Sequence, residues 1–263
     1  MSLIVENQHR VLHLTLNRPE KRNALTAGLC SGIVKEVLAA QNRQDVGCIL
    51  ISAAGQVFCS GMDLEEAAQL QAGELEGTHE ALFTMGVSSL KPVVICVNGA
   101  ALGGGLGLVA QGHLVVASEI AVFGLPEVRV GLWPFLVYRS VEAALGARRT
   151  LELSLTGRLF HTEDALAWGL VQEISPPGEA LERAKSIAQE LARHSPIAIA
   201  AGMEYVQYSR EKTSKEAGEL ARALRVKVMR EDDFKEGVKA FKEKREPRWP
   251  SMAPNFYTVE GER

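Results

Sequence analysis

Residues 99–108 read GAALGGGLGL: three consecutive glycines, with a fourth at Gly107, set between two apolar runs. Glycine gives up more backbone entropy on folding than any other residue. A run of glycines therefore marks a place where the backbone itself must approach something. Before it stands KPVVICVNG (91–99), whose β-branched centre reads as a buried strand. After it, GLGLVAQG (105–112) reads as a helix. A loop that enters a helix through glycines leaves the first N–H groups free and open to approach. Such donors suit an anion or a developing oxyanion. A close helix–strand crossing would call for the same residues. A dinucleotide fingerprint fits poorly. Gly105 to Ala110 matches G-x-G-x-x-A, but the strand ends near Asn98, several residues too early.

Outward from this stretch, LIVENQHRVLHLTLNRP (3–19) reads as a hairpin about a polar NQH break, closing at Asn17-Arg18-Pro19. Thr26 is placed to cap a helix over LCSGIVKEVLAAQNR (29–43). CILISAAG (48–55) and HLVVASE (113–119) read as strands, and VFCSGMDL (57–64) as a strand-to-helix turn. VFGLPEVRVGLWP (122–134) reads as an irregular segment held by Pro126 and Pro134. From about residue 140 the pattern is helical, broken by GLVQEISPPG (169–178) and ending in the charged DDFKEGVKAFKEKRE (232–246). Strands alternating with helices predict an α/β core with right-handed crossovers. The helical final third is too apolar to face water all round, so it packs on the core or joins subunits.

The chain has 263 residues, 46% hydrophobic and 23% charged, with a net charge of −3. That is enough for one large domain, or for one domain plus a smaller terminal piece. It offers no basic field for nucleic acid or an anionic membrane. No run reaches the roughly 18 apolar residues of a membrane span, and MSLIVENQHR lacks a signal-peptide pattern. Cys30, Cys48, Cys59 and Cys96 form no CxxC, and the six histidines are dispersed. Neither a disulfide scaffold nor a metal site is expected, and the expected compartment is the reducing cytoplasm.

Glu127 follows Pro126 between Leu125 and Val128. A carboxylate in that apolar setting is partly desolvated, which raises its pKa toward the range useful for proton transfer. A surface-loop glutamate would have the same neighbours. In NRPEKRNAL (17–25), Lys21 and Arg22 form either a solvated turn or a weak phosphate grip. Trp133 reads as core or pocket wall.

Together these pieces resemble the enoyl-CoA hydratase/isomerase (crotonase) superfamily, in order over about residues 4–245. The matching elements are Asn17-Arg18-Pro19 with Asn23-Ala24-Leu25, Phe58-Cys59-Ser60-Gly61-Met62-Asp63-Leu64, Lys91-Pro92 through Asn98-Gly99, and Ala101-Leu102-Gly103-Gly104-Gly105. Phe123, Pro126-Glu127, Gly131, Leu155-Thr156-Gly157, Trp168-Gly169-Leu170-Val171, Glu236-Gly237 and Glu243-Lys244-Arg245 continue the series. The resemblance implies an α/β fold: a crotonase-type spiral of ββα units (1–195) followed by a C-terminal helical trimerisation region and tail (196–263). It implies a homotrimer or a dimer of trimers, and no cofactor beyond the coenzyme A carried by the substrate. The backbone N–H groups of Met62 and Gly104 would form an oxyanion hole for the thioester. Ser60 and Met62, Asp63, Leu64 and Glu65 would line the CoA site, with Glu20, Lys21 and Arg22 at its nucleotide end. Lys244, from a neighbouring subunit, would complete it.

Hydratases of this family carry two glutamates twenty positions apart. Here Glu127 matches the second, and Gly107 stands where the first would be. One carboxylate suits proton movement between carbons of one substrate better than addition of water. The expected activity is therefore that of a single-glutamate enoyl-CoA double-bond isomerase. A hydratase with unusual water activation is the alternative, and a non-catalytic acyl-CoA-binding subunit a third. WPFLVYR (133–139) replaces the usual glycine-rich turn after Gly131, so Gly107, Trp133 and Phe135 are expected at the acyl pocket. The tail after Arg245 carries Trp249, Phe256 and Tyr257 and is expected to dock on a neighbour.

Overall fold

The computed structural model describes residues 1–69 and 78–252. β1 (Leu3–Gln8) and β2 (Val11–Leu16) form an antiparallel hairpin turned by His9 and Arg10, both at positive φ (51° and 63°). The break thus falls one step beyond Asn7 and Gln8, which stay in the strand. α1 (Ala27–Gln41) starts where Thr26 Oγ1 accepts the Leu29 N–H at 3.2 Å, a cap worth about 1 kcal/mol.

Three passes of one pattern follow. β3 (Cys48–Ala53) and β4 (Val57–Cys59) lead through α2 (Leu64–Gln69), α3 (Thr78–Leu82) and α4 (Met85–Ser88) to β5 (Val93–Val97) and β6 (Ala100–Leu102). α5 (Gly104–Val109) then leads to β7 (Leu114–Ser118) and β8 (Val122–Gly124). In each pass the first strand joins a six-stranded sheet and the second a four-stranded one, which is a spiral of ββα units. The segment 122–134, expected to be irregular throughout, holds β8 followed by a 3-10 helix over Pro126–Val130. α6 (Phe135–Leu145), α7 (Ala147–Thr156), β9 (Leu159–His161), α8 (Thr162–Ala167) and β10 (Glu173–Ser175) complete the sheets, which run β1-β2-β3-β5-β7-β10 and β4-β6-β8-β9.

The period-two alternation of the large sheet sorts its side chains. Leu14, Ile49, Ile51, Ile95 and Val115 face the main core, while Val11, Leu50, Val94, Cys96 and Val116 face outward. That outer face is covered by α9 (Ala180–Ala192), whose Ala180, Ala184, Ala188 and Ala192 recur every fourth residue and let the helix sit close. The four cysteines are buried and free.

α10 (Pro196–Ser209), α11 (Ser214–Arg230) and α12 (Asp232–Glu243) pack in series, α10 on α11 and α11 on α12. The buried Asp233 ties them to the rest, accepting from Ser195 Oγ (2.5 Å), Ser251 Oγ (2.6 Å) and the Ser251 N–H (3.0 Å). Trp249 lies against Gly237 and donates from Nε1 to the Arg193 carbonyl at 2.7 Å, so this part of the tail docks on its own chain. Phe256 and Tyr257 lie outside the described residues. Among the described residues no helix is long and apolar enough to cross a membrane. Nor does any group of three His, Cys, Asp or Glu side chains stand where it could hold a metal.

Candidate active site

Two backbone segments meet at the glycine turn. Leu25 and Met62 form an isolated parallel bridge, in which the Leu25 N–H donates to the Gly61 carbonyl (2.8 Å) and the Asp63 N–H to the Leu25 carbonyl (2.9 Å). Alternation along an extended chain turns the intervening Met62 N–H the other way. On that side lies Gly104: a Cβ placed on Gly61 would be 3.4 Å from the Gly104 nitrogen. Gly104 opens α5, so its N–H has no helical acceptor. Among the described residues neither the Met62 nor the Gly104 N–H is spent on a backbone hydrogen bond, and both residues are partly open to solvent.

The neighbouring glycines are explained by what touches them. Gly103 has φ +54° and ψ −118°, a conformation only glycine adopts easily. A Cβ there would also lie 2.8 Å from Glu127 Oε1. At Gly105 a Cβ would run into the Cys59 carbonyl at 2.3 Å, so α5 crosses β4 backbone to backbone. Gly107 faces α6, where a Cβ would lie 2.3 Å from Val137 Cγ1 and 3.0 Å from Phe83 Cε1. The same Phe83 ring stands 3.5 Å from the Cβ position of Gly104.

Glu127 sits in the 3-10 helix that Pro126 starts and Gly131 ends. It is half-buried, and its Oε2 has neither a hydrogen-bond partner nor contact with water. Desolvation pushes its carboxyl above the usual range. The glycine turn thus brings together two unspent N–H donors, a carboxyl group with one unpaired oxygen and an apolar wall.

The loops beneath are knit by hydrogen bonds and ion pairs among residues of the two segments 17–25 and 54–66. Asn23, fully buried at φ +52°, accepts the Arg18 N–H (2.8 Å) and donates to the Ala54 and Val57 carbonyls (2.9 and 2.8 Å). Arg18 pairs with Asp63 at 3.0 Å, and Asp63 accepts the Glu66 N–H at 3.3 Å. Desolvation pushes the Asp63 carboxyl up, but those hydrogen bonds outweigh it and hold it low. Lys21 and Glu65 form an exposed pair at 2.8 Å, and the Ser60 N–H donates to the Arg22 carbonyl. Glu20 and Leu64 are exposed beside them. The exposed or half-buried residues among 20–22 and 60–65, Met62 included, therefore form one surface over the buried Asp63.

Three more of the expected residues have the following places. Phe135, the first residue of α6, is 73% exposed, and Val137 takes the position against Gly107. Trp133 is half-buried and stacks on Tyr138 with ring centres 6.2 Å apart. Lys244 is exposed at the end of α12. Phe83 and Val137 carry no mark in the sequence; only the crossing of α5 with its neighbours gives them their place.

A spiral of ββα units with N–H donors and a carboxyl at its glycine turn defines an acyl-CoA enzyme fold of the crotonase type. The chain belongs to the enoyl-CoA hydratase/isomerase family, whose pattern it matches over residues 6–252. It is 36% identical over 251 residues to the 2,3-dehydroadipyl-CoA hydratase of Escherichia coli, covering 93% of this chain and 97% of that one. It is also 36% identical over 253 residues to the mevalonyl-coenzyme A hydratase of Aspergillus fumigatus, covering 91% of each. A solved enoyl-CoA hydratase structure from Mycobacterium smegmatis superposes with a TM-score of 0.89 at 26% identity, over 95% of this chain and 99% of that one.

Proposed function

We propose that the protein isomerises the double bond of an enoyl-CoA thioester. The thioester oxygen accepts from the Met62 and Gly104 N–H groups, which stabilise the enolate as Cα–Cγ charge develops; removal of one such donor typically costs about 3 kcal/mol of barrier. Glu127 takes a proton from one carbon and returns it to the other. Desolvation makes it a stronger base than an exposed glutamate, which favours abstraction from carbon. Glu20, Lys21, Arg22, Ser60, Asp63, Leu64 and Glu65 offer the surface for the CoA portion. The observation that carries this reading is the filled space at Gly107. Among the described residues the Glu127 carboxyl group meets the glycine turn at Gly103, and the atoms nearest a Cβ at Gly107 belong to Val137 and Phe83.

The names of the relatives favour a second reading, hydration, in which water is activated without a carboxylate at position 107. Turnover of a β,γ-enoyl-CoA and an α,β-enoyl-CoA of matched length, with and without Glu127→Ala, separates the two. Isomerisation predicts conjugation of the β,γ-enoyl substrate, falling by about 10²–10⁴ in the variant. Loss of the α,β-enoyl chromophore to a 3-hydroxyacyl product, with the β,γ-enoyl substrate untouched, would overturn it in favour of hydration.

A further inference from the structure

A second group, one helical turn from a side chain that touches the glycine turn, also stands without a partner. His79, in α3, is 4% exposed, and its Nε2 has no hydrogen bond and no access to water. Buried polar atoms are nearly always paired, so an orphan at the wall of a site points to a missing partner. The Phe83 N–H donates to the His79 carbonyl at 3.3 Å. That sets the two side chains one helical turn apart on one face, with Cβ atoms about 5–6 Å apart. Phe83 in turn lies against Gly104 and Gly107. His79 therefore extends the wall that begins at the two N–H donors.

We propose that His79 Nε2 recognises a hydroxyl group on the acyl chain, distal to the thioester, so that the preferred substrate is a hydroxylated acyl-CoA and not a plain hydrocarbon one. An imidazole nitrogen donates or accepts according to tautomer, and a hydroxyl answers either. A terminal carboxylate is the poorer fit, because Leu82, Phe83 and Val137 line this part of the molecule with buried apolar surface, where an unpaired charge is costly. The inference rests on Met62 and Gly104 being the thioester site.

The test uses saturated thioesters, which bind without reacting. Calorimetry compares acyl-CoA and ω-hydroxyacyl-CoA over a series of matched lengths, on the wild type, His79→Leu and His79→Gln. At one length or more the wild type should bind the hydroxylated member about five- to tenfold more tightly, the worth of one buried hydrogen bond. His79→Leu should bring that ratio to about one, and His79→Gln, which keeps both a donor and an acceptor, should retain part of it. Circular dichroism checks that each variant folds. Equal affinities at every length in the wild type, or a preference that survives in His79→Leu, overturn the role of His79 and leave the thioester site standing. Failure of the wild type to bind either series overturns both. A preference for ω-carboxyacyl-CoA over the hydroxylated series overturns the choice of hydroxyl.

Discussion

At Glu127 the fold leaves one carboxyl oxygen with neither a partner nor water, and the consequence is measurable apart from catalysis. Desolvation raises the carboxyl above its ordinary value of 4.5, so the folded chain keeps this proton where the unfolded chain has lost it. The stability linked to the group is full below the unfolded value and is lost as pH climbs through the raised folded value. Glu127→Gln cannot ionise and escapes that loss. It is expected to unfold at higher urea than the wild type at neutral pH. The gap should open from about pH 4.5 upward and level off above the folded value. A gap that is constant, or that closes as pH rises, would show that the carboxyl is not buried unpaired. This residue was legible in the sequence, because Pro126 and its apolar neighbours already implied desolvation. His79 was not: what makes it unusual is the absence of a partner, which only packing reveals.

The crossing of α5 and α6 shows how an element converts a small register difference into chemistry. Phe135 and Val137 are two residues apart, about 200° around a helix, so only one of them can face Gly107. Phe135, expected at the pocket, turns outward at the start of α6, and Val137 turns inward against Gly107. Hydrophobic patterning found the long strands and α1 with its Thr26 cap. It could not find three-residue strands such as β6, β9 and β10, which have too few residues to show a period and exist because a neighbouring strand pairs with them. At the crossing itself, a Cβ on Gly107 would meet Val137 Cγ1 at 2.3 Å. Gly107→Ala is therefore expected to destabilise by about 1–3 kcal/mol through overpacking. Val137→Ala also destabilises, by leaving a cavity. The double variant should be more stable than the sum of the two losses allows, because each change relieves the other. Thermal or urea unfolding of the four proteins gives the coupling directly, and strict additivity would mean that the two positions do not touch. By the same geometry a carboxylate cannot be added at position 107 until Val137 is made smaller.

At the scale of the whole molecule, the C-terminal helices show more apolar surface than a lone chain needs. Val226, Met229, Phe234 and Val238 are exposed on α11 and α12, and Phe241 is 86% exposed. Tyr205 and Leu224 line a groove between α10 and α11 that Met229 and Phe234 extend. Clustered surface of this kind marks a face meant for another protein surface. The resemblance to the crotonase superfamily implies a trimer or a dimer of trimers, with Lys244 reaching a neighbour's CoA site. The exposed position of Lys244 at the end of α12 is compatible with such a role. Sedimentation velocity at micromolar concentration should show one species of three or six chain masses. Met229→Glu combined with Phe234→Glu sets like charges in the groove and should shift the protein toward monomer. If Lys244 completes a neighbour's site, that variant should raise KM for the CoA thioester more than it lowers kcat, since Met62, Gly104 and Glu127 all come from one chain. A monomeric wild type would refute the assembly, and a dissociated variant with unchanged KM would show that each chain binds its substrate alone.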